Sequence, residues 1–276
     1  MPPLYSLLCK LVLDIDRQNK YCLYFKNLVE QAKKLREDHK KRNDLLHCLL
    51  DAHKETDLSE TEQLLEYKVN REQWKKKGLT TEEVNGNFIM FIFAGYETTS
   101  TVLTFTAYCL ATNPEYQDKL IPELDTSIGQ HQFGSNAKDT PDYDNIQKLE
   151  YLDYVIKESI PRNSSGNGNI RSVSIFALHR SPKYWEEPEK YNLDRFLAKN
   201  KSNLTPYMFL PFGLGPRSCI AMRLSYLEAK CALVTILQKY KFLSCDKTEI
   251  PLKIDFRVLL KPKNRLFLKM EERKLS

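Results

Sequence analysis

Residues 211–223 read PFGLGPRSCIAMR, and residues 94–100 read AGYETTS. In the first, one thiol, Cys219, follows two glycines and Arg217 and precedes a helix-like run. Unpaired N–H groups and the positive end of a helix dipole favour thiolate over thiol, which makes the sulfur a nucleophile or a metal ligand. Gly213 and Gly215 let backbone approach something large, Arg217 can pair with an anion, and Phe212 can shield the sulfur from water. A phosphatase loop needs arginine six residues after its cysteine, and position 225 is serine. A thiol hydrolase needs a histidine partner, and the five histidines show no such signature. In AGYETTS, Glu97 and Thr98 place a carboxyl and a hydroxyl inside an apolar helical run. Read from the residues alone, both are satisfied locally: Thr98 bonds the carbonyl of Ala94 and Glu97 meets a buried partner.

The elements around these residues are mostly helical. Residues 19–53 read as helix and 54–78 as a charged loop. Thr80 and Glu83 form a capping box that opens a helix of about 30 residues, ended near Asn113–Pro114 and apolar on nearly all sides, so that it runs through the middle of the fold. Asn85, Asn87, Glu97 and the five threonines between 98 and 106 argue against its crossing a bilayer. Helices follow at 115–129 and 144–160. Residues 161–169 are a polar turn-rich stretch, and 170–180 supply a short strand and a turn. A proline-rich meander leads to the Cys219 loop. After it, Ile220, Leu224, Leu227, Cys231 and Val234 mark one apolar stripe on a helix, and KIDFRVLL with RLFLKM fits a terminal hairpin.

Composition sets bounds. The 276 residues, 42% hydrophobic and 28% charged, form one large domain or two modest ones. The net charge of +6 comes largely from 33–42 and 71–78, read as solvated faces. No nucleic-acid module is present. Seven irregularly spaced cysteines suggest free thiols in a reducing compartment. No signal peptide opens the chain, and the apolar start, interrupted by Lys10 and Asp14, is too short to span a bilayer.

PFGLGPRSCIAMR, which fits F-x-x-G-x-R-x-C with Ala221 where glycine is usual, resembles the haem-binding loop of the cytochrome P450 superfamily. AGYETTS resembles its oxygen-activation motif, KLEYLDYVIKES its E-x-x-R helix, and ALHRSPKYWEEPEKYNLDRF the segment leading to its structural arginine. The details are closest to the animal microsomal clade that includes drug-metabolising enzymes and thromboxane synthase. The resemblance implies a mainly α fold with a small β component, as the incomplete C-terminal portion of the family fold. It is partitioned as N-terminal helices and charged loop (1–79), oxygen-activation helix and following helices (80–160), a shortened segment (161–173), and meander, haem loop, proximal helix and hairpin (174–276).

By the same resemblance, Cys219 is the axial thiolate of haem b, Phe212 covers the sulfur, and Arg217 meets a propionate. Gly213 and Gly215 shape the loop, Ala94 and Gly95 leave room for oxygen and substrate, and Glu97 and Thr98 are the acid and hydroxyl. Glu158 and Arg195 brace the loop. The implied reaction inserts one atom of O2 into a small lipophilic substrate, with electrons from an NADPH-dependent flavoprotein reductase meeting Lys183, Arg217 and Arg223. The implied location is the cytosolic face of the endoplasmic reticulum membrane, or the cytosol if the chain lacks an anchor. Two departures stand out: the chain corresponds to the family's C-terminal half, and Pro161 occupies the E-x-x-R arginine position, with Arg162 one step late. Three readings follow: a monooxygenase or one part of a split one, a truncated fragment that does not hold haem stably, or a non-catalytic binding scaffold. Peroxide isomerisation of the thromboxane-synthase type is the alternative chemistry.

Overall fold

The structure is a computed structural model of the chain. It describes residues 23–24, 26–31, 34, 44–52, 78–128, 142–160, 175–197, 200, 207–216, 218–255 and 260–273. The chain forms two compact units that divide between Ala94 and Gly95. In the first unit, the described residues of 23–34 are helical and Val29 is fully buried. Helix α1 (Leu45–Asp51) starts where the Asp44 carboxylate accepts the His47 N–H at 3.0 Å. This is an N-cap, with an acceptor supplied to a donor that has no intrahelical partner. Leu46 is its buried residue.

Helix α2 (Thr81–Thr112) begins at the expected capping box. Thr80 N–H donates to Glu83 Oε2 at 2.9 Å, and Glu83 N–H donates to Thr80 Oγ1 at 3.2 Å. Pro114 then opens helix α3 (Pro114–Ile128), where its missing N–H costs nothing. The expected burial of α2 on nearly all sides holds at Val84 and Asn85 near its start and again towards its C-terminus, but not between them. Val102, Phe105, Thr106, Leu110 and Ala111 are buried, whereas Met90, Ile92, Phe93 and Tyr96 are exposed. An apolar sequence states the burial a helix needs; the described residues do not supply it along 90–96.

The core of the second unit gathers Leu110 from α2, Leu120 and Leu124 from α3, Leu152, Val155 and Ile156 from helix α5 (Glu150–Ser159), and Leu233, Val234 and Leu237 from helix α7 (Met222–Leu237). The helix expected over 144–160 is broken into α4 (Tyr143–Gln147) and α5. Side chains from elsewhere stabilise the break. Both Glu123 oxygens, from α3, accept the Tyr151 and Leu152 N–H groups at 2.8 and 3.1 Å, capping α5. The buried Lys230 amine, from α7, donates to the Ile146 and Gln147 carbonyls and pairs with Asp153 at 3.0 Å, capping α4.

Three further expectations change. Ile175–His179, within the segment read as strand and turn, is a short helix, α6. Residues 161–174 lie outside the described residues. On α7 the buried stripe is Ala229, Leu233 and Leu237 with Val234, while Leu224, like Ile220 ahead of the helix, is exposed. The tail does not fold on itself as one hairpin: β4 (Lys269–Glu272) pairs antiparallel with β1 (Tyr240–Leu243), and β2 (Ile254–Asp255) with β3 (Lys261–Pro262). Strand β1 is joined to α3 by the buried Gln117, whose amide both donates to the Phe242 carbonyl (2.9 Å) and accepts its N–H (2.8 Å). The Gln117 amide thus substitutes for a neighbouring strand. The fold is mainly α with a small β component.

Replacing Lys230 by Met retains the aliphatic stem but leaves Asp153 and two carbonyls without their donor. We expect a loss of about 1–3 kcal/mol in unfolding free energy, measured by denaturant titration. An unchanged midpoint would show that the α4–α5 break does not depend on Lys230.

Candidate functional site

The loop around Cys219 is held from the core outward. Phe212 and Tyr226 pack against the core with ring centroids 5.3 Å apart. Burial pushes the Tyr226 phenol pKa up, so it remains neutral at physiological pH. Gly213 and Gly215 have φ of +73° and +84°, a backbone region that strains residues with a Cβ. A Cβ added at Gly215 would meet nothing within 4 Å, so the loop is open on that side. The loop closes where Cys219 N–H donates to the Phe212 carbonyl at 2.8 Å. Cys219 itself is exposed, and Leu214 and Ile220 beside it are 61% and 82% exposed. The sulfur stands three residues ahead of Met222, the first residue of α7, rather than on its first turn. Arg217 lies outside the described residues.

A residue to which the sequence reading gave no role anchors this loop. His179, fully buried at the end of α6, accepts the Leu210 N–H on Nε2 at 2.9 Å, which fixes the neutral ring with its proton on Nδ1. The Leu210 carbonyl in turn accepts the Gly213 N–H at 3.1 Å. Backbone bonds therefore lead from the buried imidazole to the glycine turn. The His179 ring stacks on Phe209 (5.2 Å) and meets Trp185 edge-on (6.2 Å). The ALHR segment carried the only sequence signal; its partner lies 31 residues away.

Glu158 and Arg195 form an ion pair with both side chains buried, 2% and 8% exposed. Glu158 also accepts the Asn192 N–H at 3.2 Å. Arg195 donates to the carbonyls of Lys190 (3.0 Å), Glu186 (2.7 Å) and Glu187 (2.6 Å). Among the described residues Arg195 Nε has no hydrogen-bond partner. Arg162 lies outside them.

On α2, Ala94, Gly95 and Thr98 are exposed, and a Cβ at Gly95 would also meet nothing within 4 Å. Ala94 is the last residue of the first unit; Glu97 and Thr98 belong to the second. Glu97 is half-exposed and pairs with Lys261 at 3.5 Å. Thr99 donates to Glu228 of α7 at 3.1 Å, which links the segment carrying Glu97 and Thr98 to the helix that follows Cys219.

The sequence pattern of the cytochrome P450 family matches residues 10–160 and 167–270, most of the chain. The chain belongs to the cytochrome P450 family. Among its relatives, cytochrome P450 3A7 of Homo sapiens is 38% identical over 266 residues, covering 89% of this chain and 48% of the relative. Cytochrome P450 3A41 of Mus musculus is 34% identical over 271 residues (91% and 50%), and cytochrome P450 3A2 of Rattus norvegicus is 33% identical over 291 residues (98% and 53%). The chain thus spans about half the length of the curated relatives it matches. These relatives support the animal microsomal clade. The family match skips 161–166, within the segment read as shortened.

Membership implies a haem iron held by a cysteine thiolate, and the residues present fit such a group. The donor is a single exposed thiol, flanked by exposed apolar side chains and by a glycine with open space at its missing Cβ. No set of three or more His, Cys, Asp or Glu among the described residues could hold an ion. That donor chemistry suits a metal whose other ligands come from a macrocycle.

Two outcomes test the site as drawn. His179→Phe should raise amide hydrogen exchange of Leu210 and Gly213 by about tenfold, the equivalent of one lost hydrogen bond; unchanged exchange would remove His179 from the loop's support. Among the other thiols, Thr248 hydroxyl and backbone N–H groups lower the Cys245 pKa, while burial raises that of Cys231. A lower pKa gives more thiolate at neutral pH, so iodoacetamide should label Cys245 before Cys231, as followed by peptide mass spectrometry.

Proposed function

We propose that this chain supplies the thiolate socket and the acid–hydroxyl pair of a haem-thiolate monooxygenase acting on a small lipophilic substrate. The observation that carries this reading is the Phe212–Cys219 loop, closed on itself with two left-handed glycines and presenting one thiol into open space. Cys219 would hold the iron of haem b through its thiolate, Phe212 would cover the sulfur and Arg217 would meet a propionate. When bound, such a haem supplies dioxygen activation and transfer of one oxygen atom to the substrate. The chain's own task is to bind, orient and move protons. Glu97, half-exposed, can exchange protons with water, and Thr98 presents a hydroxyl on the next position of the same helix. Glu158 and Arg195 keep the meander against the helix that precedes it. Ala94 and Gly95 leave space on α2.

Electrons would come from NADPH through a flavoprotein reductase. Lys183 and Arg223 are exposed and suited to an acidic docking face, and Arg217 joins them in this reading. The cytosolic face of the endoplasmic reticulum membrane is the proposed location, from the microsomal relatives. Helix α2 is long and apolar enough to cross a membrane by length and composition, but Glu97 sits within it and pairs with Lys261, so it carries little weight for that location.

The test is the reduced carbon monoxide difference spectrum of the chain expressed with haem. The thiolate-type Soret shift should appear and be lost in Cys219→Ser. Its absence at every haem loading would refute socket function in this chain, and its survival in Cys219→Ser would refute the ligand assignment. Turnover of a peroxide without any reductase would favour isomerisation.

A further inference from the structure

The middle of α2 is held from two sides. Successive helix residues advance by about 100°, so Glu97 and Thr99 point some 200° apart, with Thr98 between them. Glu97 is tied to Lys261 at 3.5 Å, and Thr99 to Glu228 at 3.1 Å. Lys261 opens β3, and Lys263 N–H donates to the Lys253 carbonyl at 2.8 Å, closing the β2–β3 hairpin. The segment leading into that hairpin is itself anchored on α2, because Leu252 N–H donates to Tyr108 Oη at 3.2 Å. Lys261 therefore reaches Glu97 from a structure fixed elsewhere on the same helix. Glu228 reaches Thr99 from α7, the helix that follows Cys219.

The helix needs such anchors here. The Glu97 carbonyl accepts the Ser100 hydroxyl at 2.9 Å and the Thr101 hydroxyl at 2.8 Å. Side-chain hydroxyls that bond back to the preceding turn compete with the backbone ladder and bend the helix. A turn weakened in this way does not set the direction of Thr98 by itself. Each tether is exposed and individually weak; together they restrict rotation about the helix axis, to which Thr98 is most sensitive.

We propose that Lys261 and Glu228 are positioning residues that fix the orientation of the Glu97–Thr98 pair from opposite sides. The proposal rests on the role given to that pair in the preceding subsection. The first measurement does not depend on haem. Amide hydrogen exchange is followed in the full chain for wild type, Glu228→Ala, Lys261→Ala, the double variant, and the conservative Glu228→Gln and Lys261→Arg. Exchange over residues 97–101 should rise about 2- to 5-fold in each alanine variant and further in the double variant. It should return towards wild type in the conservative pair, which keeps the acceptor and the cation, and exchange over α5 should not change. Wild-type exchange over 97–101 in the double variant would overturn the brace.

The second measurement separates positioning from mere stability. In the haem-loaded chain, the share of reducing equivalents released as hydrogen peroxide should rise in both Glu228→Ala and Thr98→Val, and fall again in Glu228→Gln. Raised exchange with an unchanged peroxide share would reduce the tethers to structural contacts and overturn the proposal. A wild-type chain that takes up no haem would count against the functional reading alone, and the exchange comparison would still decide the brace.

Discussion

The buried pairing of Glu158 with Arg195 ties the irregular segment that leads towards Cys219 to helix α5. Neither charge is isolated. The carboxylate also accepts a backbone N–H, and the guanidinium spreads over three carbonyls of the segment between Glu186 and Lys190. Breaking one partner of such a pair typically costs about 3–5 kcal/mol, because the other charge is left buried and unpaired. In this chain the cost would also fall on the Glu186 and Lys190 carbonyls, which lie in no sheet or helix that would supply them with a donor. An irregular segment with so little secondary structure of its own needs a multivalent donor at its centre, and arginine, with five N–H groups in a rigid fork, fills that role.

From that centre the order extends to Cys219 in short steps. Trp185 and Phe196 pack together and against Phe209, which stacks on His179. His179 receives the N–H of Leu210, and the glycine turn and the cysteine follow. The loop is thus a continuation of the meander's aromatic cluster rather than of α7. This explains how a thiol can stand exposed ahead of a helix and still be held in place. Its support comes from behind, through Phe212 and Tyr226 on the core and His179 on the meander, so the outward side is left free for a large group.

Much of this was legible in the sequence where the determining contacts are local. Thr80 and Glu83 are three residues apart, and the capping box they predict is present. Pro114 marks the end of α2, and the two glycines of the Cys219 loop adopt the backbone that their residue type suggests. What was not legible depends on distant partners. The α4–α5 break is capped by Glu123 and Lys230, and nothing in DNIQKLEYLDYVIKES signals it. Residues 240–243 pair with 269–272 across a separation that alternation of apolar residues cannot encode. The apolar stripe drawn from Ile220 to Val234 holds at Val234 but not at Ile220 and Leu224, which are exposed near the site rather than buried in the core. Glu158 and Arg195 were recognisable by resemblance alone, since their spacing of 37 residues carries no local signature.

In the proposed reading, the meander and the glycine turn together present the sulfur of Cys219 to an iron centre. X-ray absorption at the iron edge of the haem-loaded chain tests it most directly. One sulfur is expected among the iron's nearest neighbours in the wild type, with a lighter atom in its place in Cys219→Ser. An iron shell without sulfur in the wild type, or a sulfur that persists in Cys219→Ser, would contradict it.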